Sequence, residues 1–243
     1  VILDEIENAG IRENTLVIFM SDHGMALPFA KTNCYYHSTK TPWIVRWPGK
    51  VKPGSTNATH YVSGIDVAPT ILAAAGLPNL DGTDGSPILS LFEGRPDEGR
   101  RHAFTMINRT AGKNEYPMRA ILSERYLYIW NGWADGKTKF KNESQSGRSM
   151  KAMLAGAKTD PLLKARVDDF LYRTTEELYD IQADPNCLNN LLKSRDTHPG
   201  GIVSAITKRM WHWMKDTNDP QRKLFERQVA VSYTHLTLPT SRS

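Results

Sequence analysis

Cysteine and long apolar runs are both scarce in this sequence of 243 residues. Its two cysteines, Cys34 and Cys187, are too few for a disulfide framework and are not spaced for a zinc site, so they leave the redox compartment undecided. The apolar run Leu16–Met20 falls far short of the roughly 20 residues that a membrane span needs, and no basic-then-apolar leader opens the chain. We therefore expect no membrane partner.

A strong excess of one charge sign is also absent. The 31 basic and 26 acidic residues give a formal net charge of +5, which indicates a mixed surface rather than a nucleic-acid-binding arm. Hydrophobic residues make up 40% and charged residues 23%, as in ordinary globular proteins. The length allows one large domain or two modest ones, and we expect no nucleic-acid partner.

Both ends of the sequence have unusual features. The chain begins with Val1 rather than Met, inside a helix-like apolar pattern, which predicts that an upstream part of the protein is missing. Residues 231–243 are similar to a translated sequencing-library adapter, and we exclude them from the fold.

The first part of the chain alternates strand and helix patterns. The apolar run Asn14–Met20 predicts a buried parallel strand that delivers the polar residues after it to its carboxyl end. Trp43–Trp47 predicts a second strand, and Asp66 can cap a helix that stops at Gly76. This alternation predicts an α/β domain over residues 1–102.

The pattern changes from residue 103 onward. Ala103–Ile107 and Arg125–Trp130 have the composition of antiparallel strands. Ile202–Lys215 predicts a helix with a shared apolar face made by Ile202, Ile206, Met210 and Trp213. We therefore expect a smaller α+β subdomain over residues 103–230.

Asp22 and His23 are adjacent and directly follow the first predicted strand. Because the chain leaves the strand there, both side chains are freed from the strand's alternation and can point toward one cation. The pair therefore predicts a divalent-metal site. A helix-capping aspartate beside a surface histidine is the alternative.

Several motifs occur in one order and resemble the second half of a sulfatase of the alkaline-phosphatase-like superfamily. They are Ser21–Gly24, Lys31–Tyr35, Thr41–Gly49, Val62–Leu72, Asp84–Gly94, Glu177–Pro185 and Trp213–Pro220. The resemblance covers about residues 1–220. It implies an α/β fold: a partial alkaline-phosphatase-like sulfatase domain followed by the smaller α+β subdomain.

Two segments are most similar to the heparan N-sulfatase branch of this family. Lys31–Tyr35 reads Lys-Thr-Asn-Cys-Tyr, which resembles that branch's Arg-Thr-Asn-x-Tyr, and Tyr116–Ala120 resembles another of its segments. Two positions differ, because His23 stands where the branch has asparagine and Lys31 where it has arginine. Imidazole can replace an amide as a ligand, but lysine is a point charge without the guanidinium fork.

The resemblance to sulfatases implies a chemistry and a set of site residues. It implies a Ca²⁺ ion with Asp22 and His23 among its ligands, and Lys31 as the catalytic cation that binds the sulfate. It also implies a formylglycine nucleophile made within a C/S-x-P-x-R motif, which this sequence does not contain. We therefore expect the chain to need the N-terminal half of the same enzyme and to be inactive alone.

The expected substrate is a sulfated glycan or a small sulfated molecule, and the family resemblance implies a periplasmic or secreted location. His37 and Arg119 are further candidates for substrate binding, against the alternatives of a loop histidine and a structural arginine. Three segments match glycosylation sequons by pattern alone: Asn57–Thr59, Asn108–Thr110 and Asn142–Ser144. Two other functions stay open: a phosphodiesterase or phosphonate monoester hydrolase of the same superfamily, and a non-catalytic glycan-binding fragment.

Overall fold

The computed structural model describes residues 1–193 and 200–229. The sequence-based interpretation of residues 231–243 therefore lies outside the described residues. The helices are α1 (Ile2–Asn8), α2 (Tyr36–Thr39), α3 (Val67–Ala74), α4 (Leu89–Phe92), α5 (Arg148–Gly156), α6 (Pro161–Tyr172), α7 (Gly200–Asp216) and α8 (Arg222–Val229). The strands are β1 (Val17–Met20), β2 (Trp43–Arg46), β3 (His102–Arg109), β4 (Glu115–Ser123), β5 (Tyr126–Asn131) and β6 (Glu176–Asp180).

The described residues form two compact units. The first unit contains residues 1–22 and 41–103, and the second contains residues 23–40 and the described chain from residue 104 onward. The segment of residues 23–40 therefore leaves the first unit after β1 and returns to it before β2. The domain boundaries predicted from the sequence stay a prediction. None of the described helices combines the length and the hydropathy of a membrane span.

In the first unit, β1 pairs with β2 in an antiparallel ladder that runs from Val17 opposite Arg46 to Met20 opposite Trp43. The predicted parallel pairing of β1 is therefore wrong for its described neighbour. Phe19 and Ile44 face each other across this ladder and are 61% and 60% exposed. An apolar run indicates a strand, but it does not determine the direction of the strand's partner or whether both faces are covered.

The carboxylate of Asp66 is the polar centre of the first unit. Asp66 immediately precedes α3, as predicted, but its side chain does not cap that helix. Its oxygens accept hydrogen bonds from the backbone N–H groups of Ser63 (2.8 Å) and Ser86 (3.0 Å), and from Arg100 Nη1 (2.7 Å). Since Asp66 and Arg100 are both buried, each charge depends on the other for compensation.

Gly85 explains why the Asp84–Gly94 segment needs a glycine beside this pair. A Cβ atom on Gly85 would lie 2.1 Å from the carbonyl oxygen of Ile65, which is far inside van der Waals contact. Only a residue without a side chain therefore lets the neighbouring Ser86 donate to Asp66.

The second unit is built on a four-stranded sheet in the order β3–β4–β5–β6. β4 pairs antiparallel with β5, and β5 pairs antiparallel with β6. Side chains alternate between the two faces of such strands, and most of those in β4 and β5 are buried, so both faces are covered. The sequence pattern predicted β3 and β5 but not β4.

One face of this sheet packs against α7 and α8. The buried core on that face consists of Ile121, Tyr128, Trp130, Leu178, Val203, Met210, Met214, Phe225 and Val229. The helix predicted at Ile202–Lys215 is confirmed, but its buried face is centred on Val203, Met210 and Met214 rather than on Ile202. Ile206 and Trp213 pack at the edge of this core and are only partly buried.

The other face packs against residues 29–40 and α6 through aromatic side chains. The ring centroid of Phe29 lies 5.0 Å from those of Tyr35 and Phe170, and Phe140 packs edge-on to Phe170. Tyr35 also contacts Tyr179 of β6, with ring centroids 6.0 Å apart. Aromatic burial therefore attaches the segment of residues 23–40 to the sheet of the second unit.

A buried ion pair joins β4 to the loop after α7. Arg119 donates from Nε and Nη2 to the two carboxylate oxygens of Asp219, the second at 2.9 Å, and both residues are buried. Arg119 Nη1 donates to the backbone oxygens of Met118 (2.8 Å) and Ile107 (3.2 Å). The guanidinium is therefore held in a fixed orientation inside the protein.

Because Asp219→Ala would leave Arg119 as an uncompensated buried charge, we expect it to lower the free energy of unfolding by about 3–5 kcal/mol. Urea denaturation followed by circular dichroism measures this change. Asp216→Ala, at an exposed position near the end of α7, is the matched control and should change stability by less than about 0.5 kcal/mol. A loss below about 1 kcal/mol for Asp219→Ala would contradict a structural role for the pair.

Candidate functional site

The Ser21–Gly24 turn follows β1 directly and carries the predicted metal ligands. Asp22 and His23 are both exposed, and His23 Nδ1 lies 2.8 Å from the backbone oxygen of Gly24. Gly24 donates its N–H to the carbonyl oxygen of Ser38 at 2.9 Å. A Cβ atom on Gly24 would lie 2.0 Å from the carbonyl oxygen of His37, so this close approach requires the glycine of the motif.

The donors at this turn fit the implied calcium ion only in part. Asp22 offers a carboxylate oxygen, the ligand that Ca²⁺ prefers, whereas the imidazole of His23 is a nitrogen ligand better suited to transition metals. Within the described residues, no three His, Cys, Asp or Glu side chains are grouped closely enough to hold a metal ion. The described chain thus offers one good calcium ligand at this turn and not a complete site.

Lys31 lies in a segment with an unusual backbone. Phe29 and Thr32 have positive φ angles of 62° and 57°. A β-branched residue such as Thr32 rarely adopts this left-handed conformation, which costs of order 1–3 kcal/mol and persists only where surrounding contacts enforce it. The contacts that enforce it here come from distant parts of the second unit.

Three side-chain amide and hydroxyl groups hold the backbone and side chains of this segment. Asn33 Nδ2 and Asn142 Nδ2 both donate to the carbonyl oxygen of Lys31, at 2.9 and 3.2 Å. Thr32 Oγ1 donates to Glu143 Oε1 at 2.6 Å. Asn142, the first residue of a sequon pattern in the sequence, is therefore hydrogen-bonded to the backbone of Lys31.

Glu143 is also the charged partner of Lys31. Lys31 Nζ lies 3.6 Å from Glu143 Oε1, and the two side chains are 34% and 30% exposed. Partial burial acts to raise the pKa of Glu143, but the hydrogen bond from Thr32 and the positive charge of Lys31 outweigh it and hold the pKa below its usual value. Lys31 and Glu143 therefore form a partly exposed ion pair that stays charged at neutral pH.

Two buried charged side chains, Glu177 and Arg173, also hold the Lys31–Tyr35 segment in place. Glu177 of β6 is buried and accepts hydrogen bonds from Tyr35 (2.8 Å), Tyr179 (2.5 Å) and Asn131 (2.6 Å). Arg173 is buried, donates to Asn33 Oδ1, and lies over the Tyr35 ring at 4.8 Å. The Lys31–Tyr35 motif is therefore fixed at both Asn33 and Tyr35.

The sequence predicted no role in the site for Glu143, Arg173 or Glu177. Their partners lie 111, 140 and 142 residues away in the chain, so no local spacing indicates them. Two local signals were present: the pair Asn142–Glu143 belongs to a sequon pattern, and Glu177 begins the Glu177–Pro185 motif.

The other predicted site residues have separate partners. His37 is exposed on α2, and its Nε2 lies 2.9 Å from Asn186 Oδ1. Arg119 is fully enclosed and paired with Asp219 as described above. Lys31, His37 and Arg119 thus engage Glu143, Asn186 and Asp219 respectively. Substrate binding by these residues stays a prediction.

Both cysteines are buried, and their thiol groups are unreactive at neutral pH. Burial raises the pKa of the Cys34 thiol to about 11 and that of the Cys187 thiol to about 12. The thiolate, which is the nucleophilic form, is therefore scarce at neutral pH in both residues. Neither cysteine is positioned to act as a nucleophile in the described structure.

We expect iodoacetamide at pH 8 to modify Cys34 and Cys187 at least about tenfold more slowly in the folded chain than in urea, because both thiols are buried and protonated. Mass spectrometry of intact protein and of tryptic peptides gives the rate for each residue. Equal rates with and without urea at either cysteine would contradict its burial.

The chain is similar to known sulfatases. Residues 1–77 match the sulfatase family. An ulvan-active sulfatase of Formosa agariphila is 30% identical over 221 residues, which cover 86% of this chain and 39% of that protein. The human N-sulphoglucosamine sulphohydrolase is 27% identical over 240 residues, which cover 90% of this chain and 45% of that protein.

A solved structure supports the same fold. A protein in complex with its substrate D-glucosamine-2-N,6-O-disulfate matches this chain with a TM-score of 0.66 at 19% identity, over 91% of this chain and 38% of that protein. The chain thus spans about two fifths of the length of these relatives. The mixed α/β architecture predicted from the sequence is confirmed, and so is the resemblance of the chain to sulfatases.

Proposed function

We propose that this chain carries part of the active site of a sulfatase that hydrolyses sulfate esters or sulfamates of sulfated glycans. The observation that supports this most directly is the fixed presentation of Lys31. Its segment has strained backbone at Thr32, and side chains from two distant parts of the second unit, Asn142–Glu143 and Arg173, hold it in place. Strain that is enforced in this way is typical of residues that must meet a ligand.

Lys31 is the residue that we assign to sulfate binding. Its ammonium group is partly exposed and lies at ion-pair distance from Glu143 rather than in a short hydrogen bond, so its donors remain accessible to a ligand. A cation placed at sulfate oxygens stabilises the negative charge that they carry during transfer of the group. We therefore propose that Lys31 binds and orients the sulfate.

Asp22 and His23 are proposed as ligands of the calcium ion that the family implies, with Asp22 the better suited of the two. When bound, such a cation polarises the sulfate oxygens. The implied formylglycine nucleophile would have to come from outside this sequence, which contains no C/S-x-P-x-R motif. Within the chain, Gly24 fixes the turn that carries both proposed ligands.

His37 is proposed as a second substrate contact because its ring is exposed on α2, six residues beyond Lys31. Arg119 does not enter the proposal, because Asp219 and backbone carbonyl groups occupy its guanidinium inside the protein. We propose a sulfated glycan as substrate, since the relatives include an ulvan-active sulfatase and a protein bound to a glucosamine disulfate.

If Lys31 binds sulfate, glucose 6-sulfate should bind the chain in the millimolar range and shift the backbone NMR signals of residues 31–33 and 143. Lys31→Ala should weaken this binding at least about tenfold, because an ion pair with the sulfate is lost. Lys40→Ala removes an exposed lysine of the same segment and should leave binding unchanged. Equal effects of the two substitutions would contradict the assignment of Lys31.

The chain alone should not hydrolyse 4-nitrophenyl sulfate or an N-sulfated disaccharide, even with calcium, because it lacks a nucleophile. A chimera tests whether it can complete an active site. Residues 1–229 replace the matching region of the ulvan-active sulfatase, and turnover of 4-nitrophenyl sulfate is measured. We expect activity in the chimera, loss of activity with Asp22→Ala, and at least a hundredfold decrease with Lys31→Ala.

Turnover by the chain alone that is abolished by Asp22→Ala would show that a different nucleophile acts here. A chimera that folds but keeps full activity with Lys31→Ala would contradict the proposed role of Lys31. Lys40→Ala in the same chimera is the matched control.

A further inference from the structure

A carboxylate beside a cation that binds sulfate is unexpected, because it repels the ligand. Glu143 occupies this position, with Oε1 3.6 Å from Lys31 Nζ. The hydrogen bond from Thr32 Oγ1, at 2.6 Å, prevents the carboxylate from turning away. Both charged side chains are about one-third exposed, so an anion that binds Lys31 from solvent also meets the field of Glu143.

Few hydrogen-bond donors compensate the negative charge of the Glu143 carboxylate. Its Oε2 atom is buried, and no donor among the described residues forms a hydrogen bond with it. The Thr32 hydroxyl and the Lys31 ammonium both interact with Oε1. The pKa of Glu143 is held below its usual value, so the carboxylate keeps its charge at neutral pH.

We propose that Glu143 shifts the selectivity of the Lys31 site toward singly charged oxyanions, so that phosphate monoesters lose the advantage that their extra negative charge would give them over sulfate esters. A sulfate ester carries one negative charge, whereas a phosphate monoester carries about −1.5 to −2 at pH 7. Coulomb energies scale with the product of the charges, so a lysine alone would prefer the phosphate. A fixed carboxylate beside the lysine repels the second charge and offsets that preference.

This inference rests on the proposed function, because it requires that Lys31 binds the sulfate. It adds a specificity-determining residue that comes from the segment between β5 and α5, far from Lys31 in the sequence. Glu143 acts on the ligand through its charge and also helps to hold Lys31, so the experiment must separate charge from structure.

Glucose 6-sulfate and glucose 6-phosphate are matched probes, because they share the same sugar and differ in the charge of the ester. Their dissociation constants for the full chain are measured by NMR titration at pH 8. We expect the unsubstituted chain to bind the two within about threefold of each other. Glu143→Gln, which keeps the acceptor for Thr32, should shift the ratio toward the phosphate by about five- to tenfold.

Two further variants control for other effects. Glu124→Gln removes a charge at an exposed position of the turn between β4 and β5 and should leave the ratio unchanged. Glu143→Asp keeps the charge and should keep the ratio of the unsubstituted chain. A ratio that stays unchanged in Glu143→Gln, while Lys31→Ala still abolishes binding, would overturn this inference and leave the proposed function intact.

A pH comparison on the unsubstituted chain needs no substitution. Glucose 6-phosphate gains its second charge near pH 6. A lysine site without an opposing carboxylate would therefore gain affinity for it between pH 5 and pH 8. We expect the phosphate to gain less than about threefold relative to the sulfate over this range, and a larger gain would overturn the inference. The sulfate titrations correct for any change in the charge of the protein itself over this range.

The remaining outcomes also decide between the two proposals. If Lys31→Ala leaves the binding of both sugars unchanged, the proposed function is wrong and this inference falls with it. If the unsubstituted chain binds neither sugar at tens of millimolar, both are wrong.

Discussion

Burial of Glu177 and Arg173 under the Lys31–Tyr35 segment is the constraint on which the proposed site depends. Tyr35 donates a hydrogen bond to Glu177, and Asn33 accepts one from Arg173. Two of the five residues of Lys31–Tyr35 are therefore hydrogen-bonded to buried charged side chains. Removing one partner of a buried charged group lowers the free energy of unfolding by about 3–5 kcal/mol, so these hydrogen bonds are strong enough to hold the strained backbone at Thr32. The positive φ of Thr32 is therefore the product of contacts on either side of it rather than of its own preference.

The sheet of the second unit explains how one polypeptide provides such a support. α7 and α8 cover one face of the sheet with an apolar core, which secures the strands without any polar group from the site. The opposite face is then available for a mixed surface of aromatic rings and buried polar groups, to which residues 29–40 attach. Strand alternation separates the two tasks: Leu178 points into the apolar core, while its neighbour Glu177 binds Tyr35.

Local patterns in the sequence were sufficient for some elements and not for others. The 3.6-residue periodicity predicted α7, and the polar residues after an apolar run located the turn with Asp22 and His23. β1 was predicted with the wrong partner direction, because an apolar run carries no information on its neighbour. β4 was missed because Pro117 and Arg119 interrupt its apolar pattern. The structure shows Arg119 neutralised by Asp219, a compensation 100 residues away that no local pattern indicates.

The choice of lysine at position 31 is consistent with a carboxylate at position 143. An arginine there could form two parallel hydrogen bonds with the carboxylate, and its planar fork would then be occupied by the protein instead of the ligand. The ammonium of Lys31 lies 3.6 Å from Glu143 Oε1, beyond normal hydrogen-bond distance, so its attraction to Glu143 is mainly electrostatic. A compact charge with three donors can keep this interaction and still donate to an oxyanion. Lys31 and Glu143 thus both fit the proposed function, which requires a cation that a carboxylate positions and that can still donate hydrogen bonds to an oxyanion.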